Sequence, residues 1–373
     1  MGRIYFDANA TTPLDPRVRE AMLPWLDCGN ASSPHAEGRA ARAAIDEARE
    51  QVAALIQCWP REIVFTSGAT EANAIALLGS AKALGARRFF ASAVEHPSVL
   101  HLLEAQRSAI DLTVGAVGAS GHLDPSCSLG VEPEVVSLML ANNETGALQP
   151  VAEIASVARD LGATVHCDAV QASGRIAIDV EALGVDLLTL SAHKMHGPKG
   201  AGALYVRSGC RVDALYAGGE HERGLRSGTE NVAAIVGLGA AARLAAIEHR
   251  SRDRLWQKLK AQLIHGLALA LPDARINSND PCLPNTLSLT LPGVEGEAVL
   301  LGLDLHGIAV ATGSACSSGA AEPSHVLMAM GLSRREAEQT IRISFHAGSC
   351  ENEVDQLVTA LAGVVSKLSE LEV

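Results

Sequence analysis

Three polar side chains follow apolar segments of this sequence, each close to the point where a buried strand is predicted to end. Lys194 follows the run DLLTLS, Asp168 follows ATVHC, and Thr70 follows the strand-and-turn segment EIVFTSGA. A lysine amine removed from water loses its proton more readily and becomes a nucleophile toward carbonyl groups. A short turn before a helix presents free backbone N–H groups and the positive end of a helix dipole to an anion. The three segments therefore offer an amine, a carboxylate and an anion cradle.

These three groups match the parts of pyridoxal phosphate. A helix beginning near Thr70 could bind its phosphate, Asp168 could keep its pyridine nitrogen protonated, and Lys194 could form a Schiff base with its aldehyde. Each residue alone has an ordinary explanation, because Thr is a common helix N-cap, Asp is common after strands and most lysines are solvated. Their combination favours a cofactor site.

The alternation of short apolar runs with amphipathic segments predicts the elements that position these residues. Buried strands are predicted at residues 62–67, 135–141, 163–169, 186–191 and 202–206. Amphipathic helices are predicted at residues 71–84, 97–108 and 151–161. This pattern predicts an α/β fold with a mainly parallel sheet covered on both faces, whose ligands lie beyond the carboxyl ends of the strands.

A second, smaller domain is predicted toward the C-terminus, since 373 residues exceed what one core usually organises. A long helix is expected to run to about residue 270, and a loop and shorter strands and helices follow it. We assign residues 16–254 to a large cofactor-binding domain, and residues 1–15 with 255–373 to a small α+β domain. The small domain would carry a loop at about residues 312–323, ATGSACSSG and its flanks.

Composition limits the classes of partner. The net charge is -12, and the longest basic runs are pairs such as Arg87-Arg88, which argues against a nucleic-acid surface. No apolar leader or membrane-length apolar run is present, so we expect a soluble, cytoplasmic protein. The 8 cysteines form no CxxC pair, which favours reduced thiols over disulfides or a metal site.

Nine segments, in order along nearly the whole chain, resemble the cysteine desulfurases of the nitrogen-fixation and iron-sulfur-assembly type. These are pyridoxal-phosphate enzymes of the class V aminotransferase group. The matching segments are DANATTPLDPRV, FTSGATEAN, EHPSVL, ANNETGALQP, HCDAVQ, SAHKMHGPKGAGALYV, GGEHERGLRSGTEN, ATGSACSSGAAEPSHVL and TIRISF. The resemblance implies fold type I of the pyridoxal-phosphate transferases, a seven-stranded sheet in the large domain, and a homodimer.

The resemblance also implies roles for cofactor-binding residues. Lys194 would carry the Schiff base, Asp168 would face the pyridine nitrogen, and Gln171 would hydrogen-bond the ring hydroxyl. His96 would stack on the ring and transfer protons. The phosphate would be bound by Ala69, Thr70, Ser191 and His193, and by Thr229 from the partner subunit.

Substrate residues follow from the same resemblance. Asn143 and Arg342 would bind the carboxylate of L-cysteine, to which a guanidinium fork is suited. Cys316 lies among small residues typical of a mobile loop, and its thiolate would attack the substrate sulfur. The products would be L-alanine and an enzyme persulfide, whose sulfur passes to an iron-sulfur scaffold or a thiolation enzyme.

Three alternatives remain open. A selenocysteine lyase or cysteine sulfinate desulfinase would be a related enzyme, but those relatives carry their cysteine in a shorter, histidine-containing loop. A non-enzymatic sulfur carrier or scaffold could use Cys316 as a transient iron-sulfur ligand, although scaffolds normally need three or four clustered ligands. The segment GLGAAAR could suggest dinucleotide binding, but its glycines fall in a helical pattern with no preceding strand.

Overall fold

The computed structural model describes residues 3–313 and 322–371. A short strand, β1 (Ile4–Tyr5), precedes the large sheet. The strands of that sheet are β2 (Ile63–Thr66), β3 (Arg88–Ser92), β4 (Asp111–Gly115), β5 (Val135–Met139), β6 (Thr164–Asp168), β7 (Leu187–Ser191) and β8 (Gly202–Val206). Within the described residues the sheet has 7 strands in the order β2-β8-β7-β6-β5-β3-β4. Only β8 runs antiparallel to its neighbours there, so the predicted mainly parallel α/β sheet is confirmed.

Helices cover this sheet on both faces. They are α1 (Pro16–Met22), α2 (Ala36–Ile56), α3 (Ala69–Ala74), α4 (Ser80–Leu84), α5 (Pro97–Glu104), α6 (Val151–Asp160), α7 (Val180–Leu183) and α8 (Val232–Ala270). A π turn at Ile75–Gly79 joins α3 to α4 in one continuous helical segment. Small residues let α2 and α8 pack closely: a Cβ at Gly239 would lie 2.6 Å from the Cα of Ala48. The core is accordingly rich in alanine as well as in branched residues.

The C-terminal part contains a second, smaller sheet. Its elements are β9 (Arg275–Ile276), β10 (Thr286–Thr290), α9 (Gly296–Leu305), β11 (Ile308–Ala309), β12 (Ala311–Thr312), α10 (His325–Ala329), α11 (Arg334–Glu338), β13 (Thr340–Ser344) and α12 (Glu351–Leu371). β12, β13, β10 and β9 form an antiparallel sheet, while β1 pairs with β11. A separate apolar cluster including Phe6, Trp256, Leu287 and Ile343 supports the proposed small domain, whose boundaries stay a prediction.

Helix α8 connects the two apolar clusters. Leu238 and Leu244 lie in the cluster of the large sheet, whereas Trp256 and Leu263 lie in that of the small sheet. By length and composition α8 could cross a membrane, but 67% of its apolar window is buried, as is typical of a core helix. The segment GLGAAAR lies inside α8, as its helical pattern predicted.

Candidate active site

A cavity of about 610 Å³ opens at the carboxyl ends of β5, β6 and β7. Its volume lies in the range of pockets that bind small molecules and cofactors. It is lined by nine of the residues singled out in the sequence: Ala69, Thr70, His96, Asn143, Asp168, Gln171, Ser191, His193 and Lys194. Parallel strands place their carboxyl ends at one edge of a sheet, which explains why distant motifs meet there.

Lys194 ends the short 3-10 turn Ala192–Lys194, directly after β7. Its Nζ donates to the carbonyl oxygens of Asn9 at 2.6 Å and Ala10 at 2.9 Å. Burial lowers the pKa of this amine to about 7, and the charges of Arg175 and Arg342 act in the same direction. A large fraction of the amine is therefore neutral, and nucleophilic, near neutral pH.

Asp168 is the last residue of β6, and its carboxylate is fixed by two donors. Oδ1 accepts from the backbone N–H of Val170 at 3.0 Å, and Oδ2 accepts from Nδ2 of Asn73 at 2.9 Å. The neighbouring carboxyl of Glu95 is fully buried, and this burial raises its pKa well above the ordinary value. Asp168, which lines the pocket, is therefore the better placed of the two carboxyl groups to pair with a cationic ring nitrogen.

The anion cradle forms where the Ser67-Gly68 turn enters α3. A Cβ at Gly202 on β8 would lie 2.7 Å from the Cα of Gly68, so a glycine there lets the turn approach the sheet. Ser191 and His193 line the same cavity as Thr70. Burial, followed by the Lys194 charge, lowers the pKa of His193 to about 4, so its ring is neutral at pH 7. The cradle offers backbone and hydroxyl donors, which suit a phosphate.

His96 caps the N-terminus of α5 and faces the cavity. Its Nδ1 accepts from the backbone N–H of Ser98 at 3.1 Å. The neutral ring therefore carries its proton on Nε2. Burial lowers the pKa of His96, which favours this neutral form at pH 7. An imidazole in this state can exchange protons with a bound molecule.

Arg342, on β13, does not line the cavity itself but contacts a residue that does. Its NH1 donates to the carbonyl oxygen of Asn143 at 3.1 Å, and its NH2 donates to Oδ1 of Asp7 at 2.6 Å. Its buried Nε has no partner among the described residues. The structure thus brings the two predicted carboxylate-binding residues together, and Asp7, which sequence reasoning missed, holds the guanidinium.

Thr229 is exposed and lies outside the cavity of its own chain. The segment before it is firmly held, because the Glu222 carboxylate accepts from both terminal nitrogens of Arg49, at 2.7 and 2.8 Å, and from the N–H of Phe65 at 2.8 Å. Glu222 and Arg223 both adopt left-handed backbone angles, with φ 45° and 58°. Such strain in non-glycine residues is concentrated at functional segments.

Cys316, the predicted nucleophile, lies outside the described residues. Glu144 lies close to Gly313 and to Ser324, which precede and follow Cys316 in the sequence. Ser324 Oγ donates to Oε2 of Glu144 at 2.5 Å, and a Cβ on Gly313 would lie 3.0 Å from that oxygen. Burial raises the pKa of Glu144 to about 7. Sequence reasoning gave Glu144 no role.

The other cysteines are free thiols in the described part of the chain. Burial raises the pKa of Cys167, beside Asp168, well above its ordinary value, which supports a structural role. Across residues 3–313 and 322–371, no three His, Cys, Asp or Glu side chains are grouped so that they could hold a metal ion.

The chain is similar to known proteins over nearly its whole length. The sequence profile of the family "Aminotransferase class-V" matches residues 4–357. "Cysteine desulfurase IscS" of Anaeromyxobacter dehalogenans (strain 2CP-C) is 44% identical over 380 residues, covering 99% of this chain and 94% of the relative. A solved structure of a "NIFS-LIKE PROTEIN" has a TM-score of 0.91 and 36% identity, covering 98% of this chain and 100% of that one. The NifS-like protein from Rickettsia africae ESF-5 has a TM-score of 0.88 and 35% identity, covering 98% and 99%.

Proposed function

This chain belongs to the aminotransferase class-V family, and from that premise we propose that it is a pyridoxal-phosphate-dependent cysteine desulfurase. The cavity that joins the amine of Lys194 to Asp168 and the α3 cradle carries the proposal. The full-length similarity to a relative named as a cysteine desulfurase supports the choice of substrate.

The residues of the cavity fit pyridoxal phosphate. Its aldehyde needs a neutral amine, which Lys194 provides, and its pyridinium needs a carboxylate, which Asp168 provides. Its phosphate needs donors, which the Gly68 turn and the start of α3 provide where Gly202 leaves room. When bound, pyridoxal phosphate supplies the aldehyde that captures the substrate amino group and the conjugated ring that accepts electrons from the substrate.

The chain's own residues bind the substrate and move its protons. Arg342, with Asn143 beside it, would orient the carboxylate of L-cysteine. The amine of Lys194 would transfer the α proton of the substrate. His96 would exchange a proton with the substrate thiol through Nε2.

The thiolate of Cys316 would then attack the sulfur of the substrate. A new S–S bond forms on Cys316 as the substrate C–S bond breaks, and the substrate carbon keeps the bonding electrons and takes up a proton. L-cysteine and the enzyme thiol thereby give L-alanine and an enzyme persulfide. The persulfide would pass to an acceptor protein for iron-sulfur cluster assembly or thiolation.

We further propose that the protein acts as a homodimer. Thr229 is exposed and does not line the cavity of its own chain, while the Glu222–Arg49 ion pair fixes the segment that carries it. Such a placement suits a residue that completes the phosphate site of the partner subunit. A cytoplasmic location stays a prediction.

An assay of substrate range tests this function. The purified protein, loaded with pyridoxal phosphate, should release equal amounts of alanine and sulfide from L-cysteine in the presence of a reductant. Matched incubations with L-selenocysteine and with cysteine sulfinate test the two related enzymes. Turnover of one of these substrates much faster than turnover of L-cysteine would identify a selenocysteine lyase or a cysteine sulfinate desulfinase, respectively. Absence of turnover with all three substrates, despite bound cofactor, would favour the alternative of a non-enzymatic sulfur carrier or scaffold.

A further inference from the structure

Arg175 is a buried arginine without a carboxylate partner in the described part of the chain. Its exposed fraction is 3%. The buried Arg252 and Arg342, by contrast, pair with Glu248 and Asp7. A buried charge lacking a counter-charge is costly, and such groups are concentrated at functional sites.

Among residues 3–313 and 322–371, the acceptors of Arg175 are carbonyl groups near the cavity. NH1 donates to the backbone oxygen of Gln171 at 2.7 Å and also to its side-chain Oε1, and NH2 donates to the carbonyl oxygen of Ala8 at 3.4 Å. Burial lowers the pKa of this guanidinium to about 9, so it stays charged at neutral pH.

These contacts determine which way the Gln171 amide points. A guanidinium has donors and no acceptor, so the group that faces Arg175 must be the amide oxygen. The amide nitrogen Nε2 donates one hydrogen to the carbonyl oxygen of Asn9 at 3.0 Å. Its second hydrogen remains for an acceptor in the cavity, which Gln171 lines.

The same backbone segment connects Gln171 to Lys194. The carbonyl oxygen of Asn9 accepts from both Gln171 Nε2 and Lys194 Nζ, at 3.0 and 2.6 Å. Three consecutive carbonyl groups therefore accept hydrogen bonds from the side chains of this site. Ala8 accepts from Arg175, Asn9 accepts from Gln171 and Lys194, and Ala10 accepts from Lys194.

Several charges act on the Lys194 amine. Arg175 and Arg342 lower its pKa together with burial, whereas Asp7 and Asp168 oppose them. The pKa values of the nearby rings of His96 and His193 are both lowered by burial, so these rings add no positive charge at pH 7. Arg175 is thus a main local source of the positive potential at the amine.

We propose that Arg175 is a positioning residue of the cofactor site, which turns the Gln171 NH2 group toward the cavity and, through the shared segment at residues 8–10, presents a positive charge to the amine of Lys194. The NH2 group suits a phenolic oxygen on an aromatic aldehyde. This inference rests on the proposed function for the identity of that aldehyde.

The test measures the rate of pyridoxal phosphate incorporation into the cofactor-free, full-length protein from pH 6 to 10. In Arg175→Met the pH midpoint should rise by about one unit, which reduces the neutral amine at pH 7 and slows incorporation about fivefold. At pH 10 the parent and the variant should react at similar rates. Arg252→Met, a matched loss of a buried arginine, should keep the parent midpoint.

Two further variants separate charge from contact. Arg175→Lys keeps the charge and a donor, so its pH midpoint should match the parent, whereas Arg175→Met, which has no donor for Gln171, should also shift the visible absorbance maximum of the bound cofactor. Arg175→Gln removes the charge with a polar side chain and serves if the methionine variant does not fold, as judged by thermal unfolding.

Each outcome has a distinct meaning. A parent-like midpoint in folded Arg175→Met or Arg175→Gln contradicts the charge effect, and an unshifted absorbance maximum in folded Arg175→Met contradicts the role through Gln171. A parent protein that takes up no pyridoxal phosphate at any pH would overturn the proposed function itself. A loss of thermal stability alone, with an unchanged midpoint, would mean that Arg175 has only a structural role.

Discussion

Nδ2 of Asn73, on α3, donates a 2.9 Å hydrogen bond to Oδ2 of Asp168, at the end of β6. The bond links the helix that forms the anion cradle to the carboxylate that would face the cofactor ring. Both side chains are buried, so this contact fixes the distance between two ends of the proposed cofactor site.

Asn73→Ala should weaken pyridoxal phosphate binding about tenfold or more, because a hydrogen bond to a charged group contributes about 1.5 to 3 kcal/mol. Equilibrium titration followed by visible absorbance measures the dissociation constant. Asn352→Ala, at an exposed position on α12, is the control. An unchanged dissociation constant in Asn73→Ala would show that Asp168 is positioned by other contacts.

Cofactor uptake by the parent protein should depend on pH through Lys194. The folded-state pKa of this amine is about 7, below its ordinary value, so the reactive neutral form increases as pH rises through 7. The incorporation rate should therefore be about half maximal near pH 7 and level off above pH 8. A midpoint near 10 would contradict the burial of the amine, and Lys194→Ala should not form the covalent link at any pH.

Mixing two defective variants tests the shared site. Thr229→Ala should bind pyridoxal phosphate about tenfold more weakly, and Lys194→Ala should be inactive. Refolding a mixture of the two variants gives some dimers with one subunit of each kind. If Thr229 acts in the partner subunit, one site of such a dimer combines an intact Lys194 with an intact Thr229. Activity at low cofactor concentration should then exceed that of either variant alone. No gain in dimers verified by tagged purification would place Thr229 outside the partner's site.

The Glu222–Arg49 pair should matter for stability. Both side chains are largely buried, so Glu222→Gln leaves a buried guanidinium without its carboxylate and should destabilise the fold by about 3 kcal/mol. Chemical denaturation measures this change. Glu220→Gln, at an exposed neighbouring position, should change the free energy of unfolding by less than about 0.5 kcal/mol. Equal stability of the two variants would contradict this assignment.

Sequence patterns predicted the strands that deliver Asp168 and Lys194, because β6 and β7 are short segments rich in apolar and β-branched residues that end in polar residues. The outer strands β3 and β4 were not recognised. The apolar run of β3 is only three residues long, between Arg88 and Ser92, and β4 is largely exposed at the sheet edge, so neither contains a long apolar run. The run IAVAT has the composition of a single strand, but β11 and β12 pair with different partners on either side of Val310.

The contacts of single charged residues were harder to predict. Arg175 and Glu95 appear in the sequence as ordinary charges, since their burial depends on packing between distant segments. The pairing of Arg342 with Asp7 joins residues at opposite ends of the chain. No local pattern contains that information, whereas the motifs at the strand ends were sufficient to indicate the cavity.

A single turnover on Cys316 tests the central claim most directly. One equivalent of L-cysteine, added without reductant to the cofactor-loaded protein, should yield one alanine per site. Mass spectrometry should find one added sulfur atom on the peptide that contains Cys316. Cys316→Ser should bind the cofactor normally and form neither product. Alanine formation by Cys316→Ser at the parent rate, or sulfur found only on another cysteine, would contradict the assigned reaction.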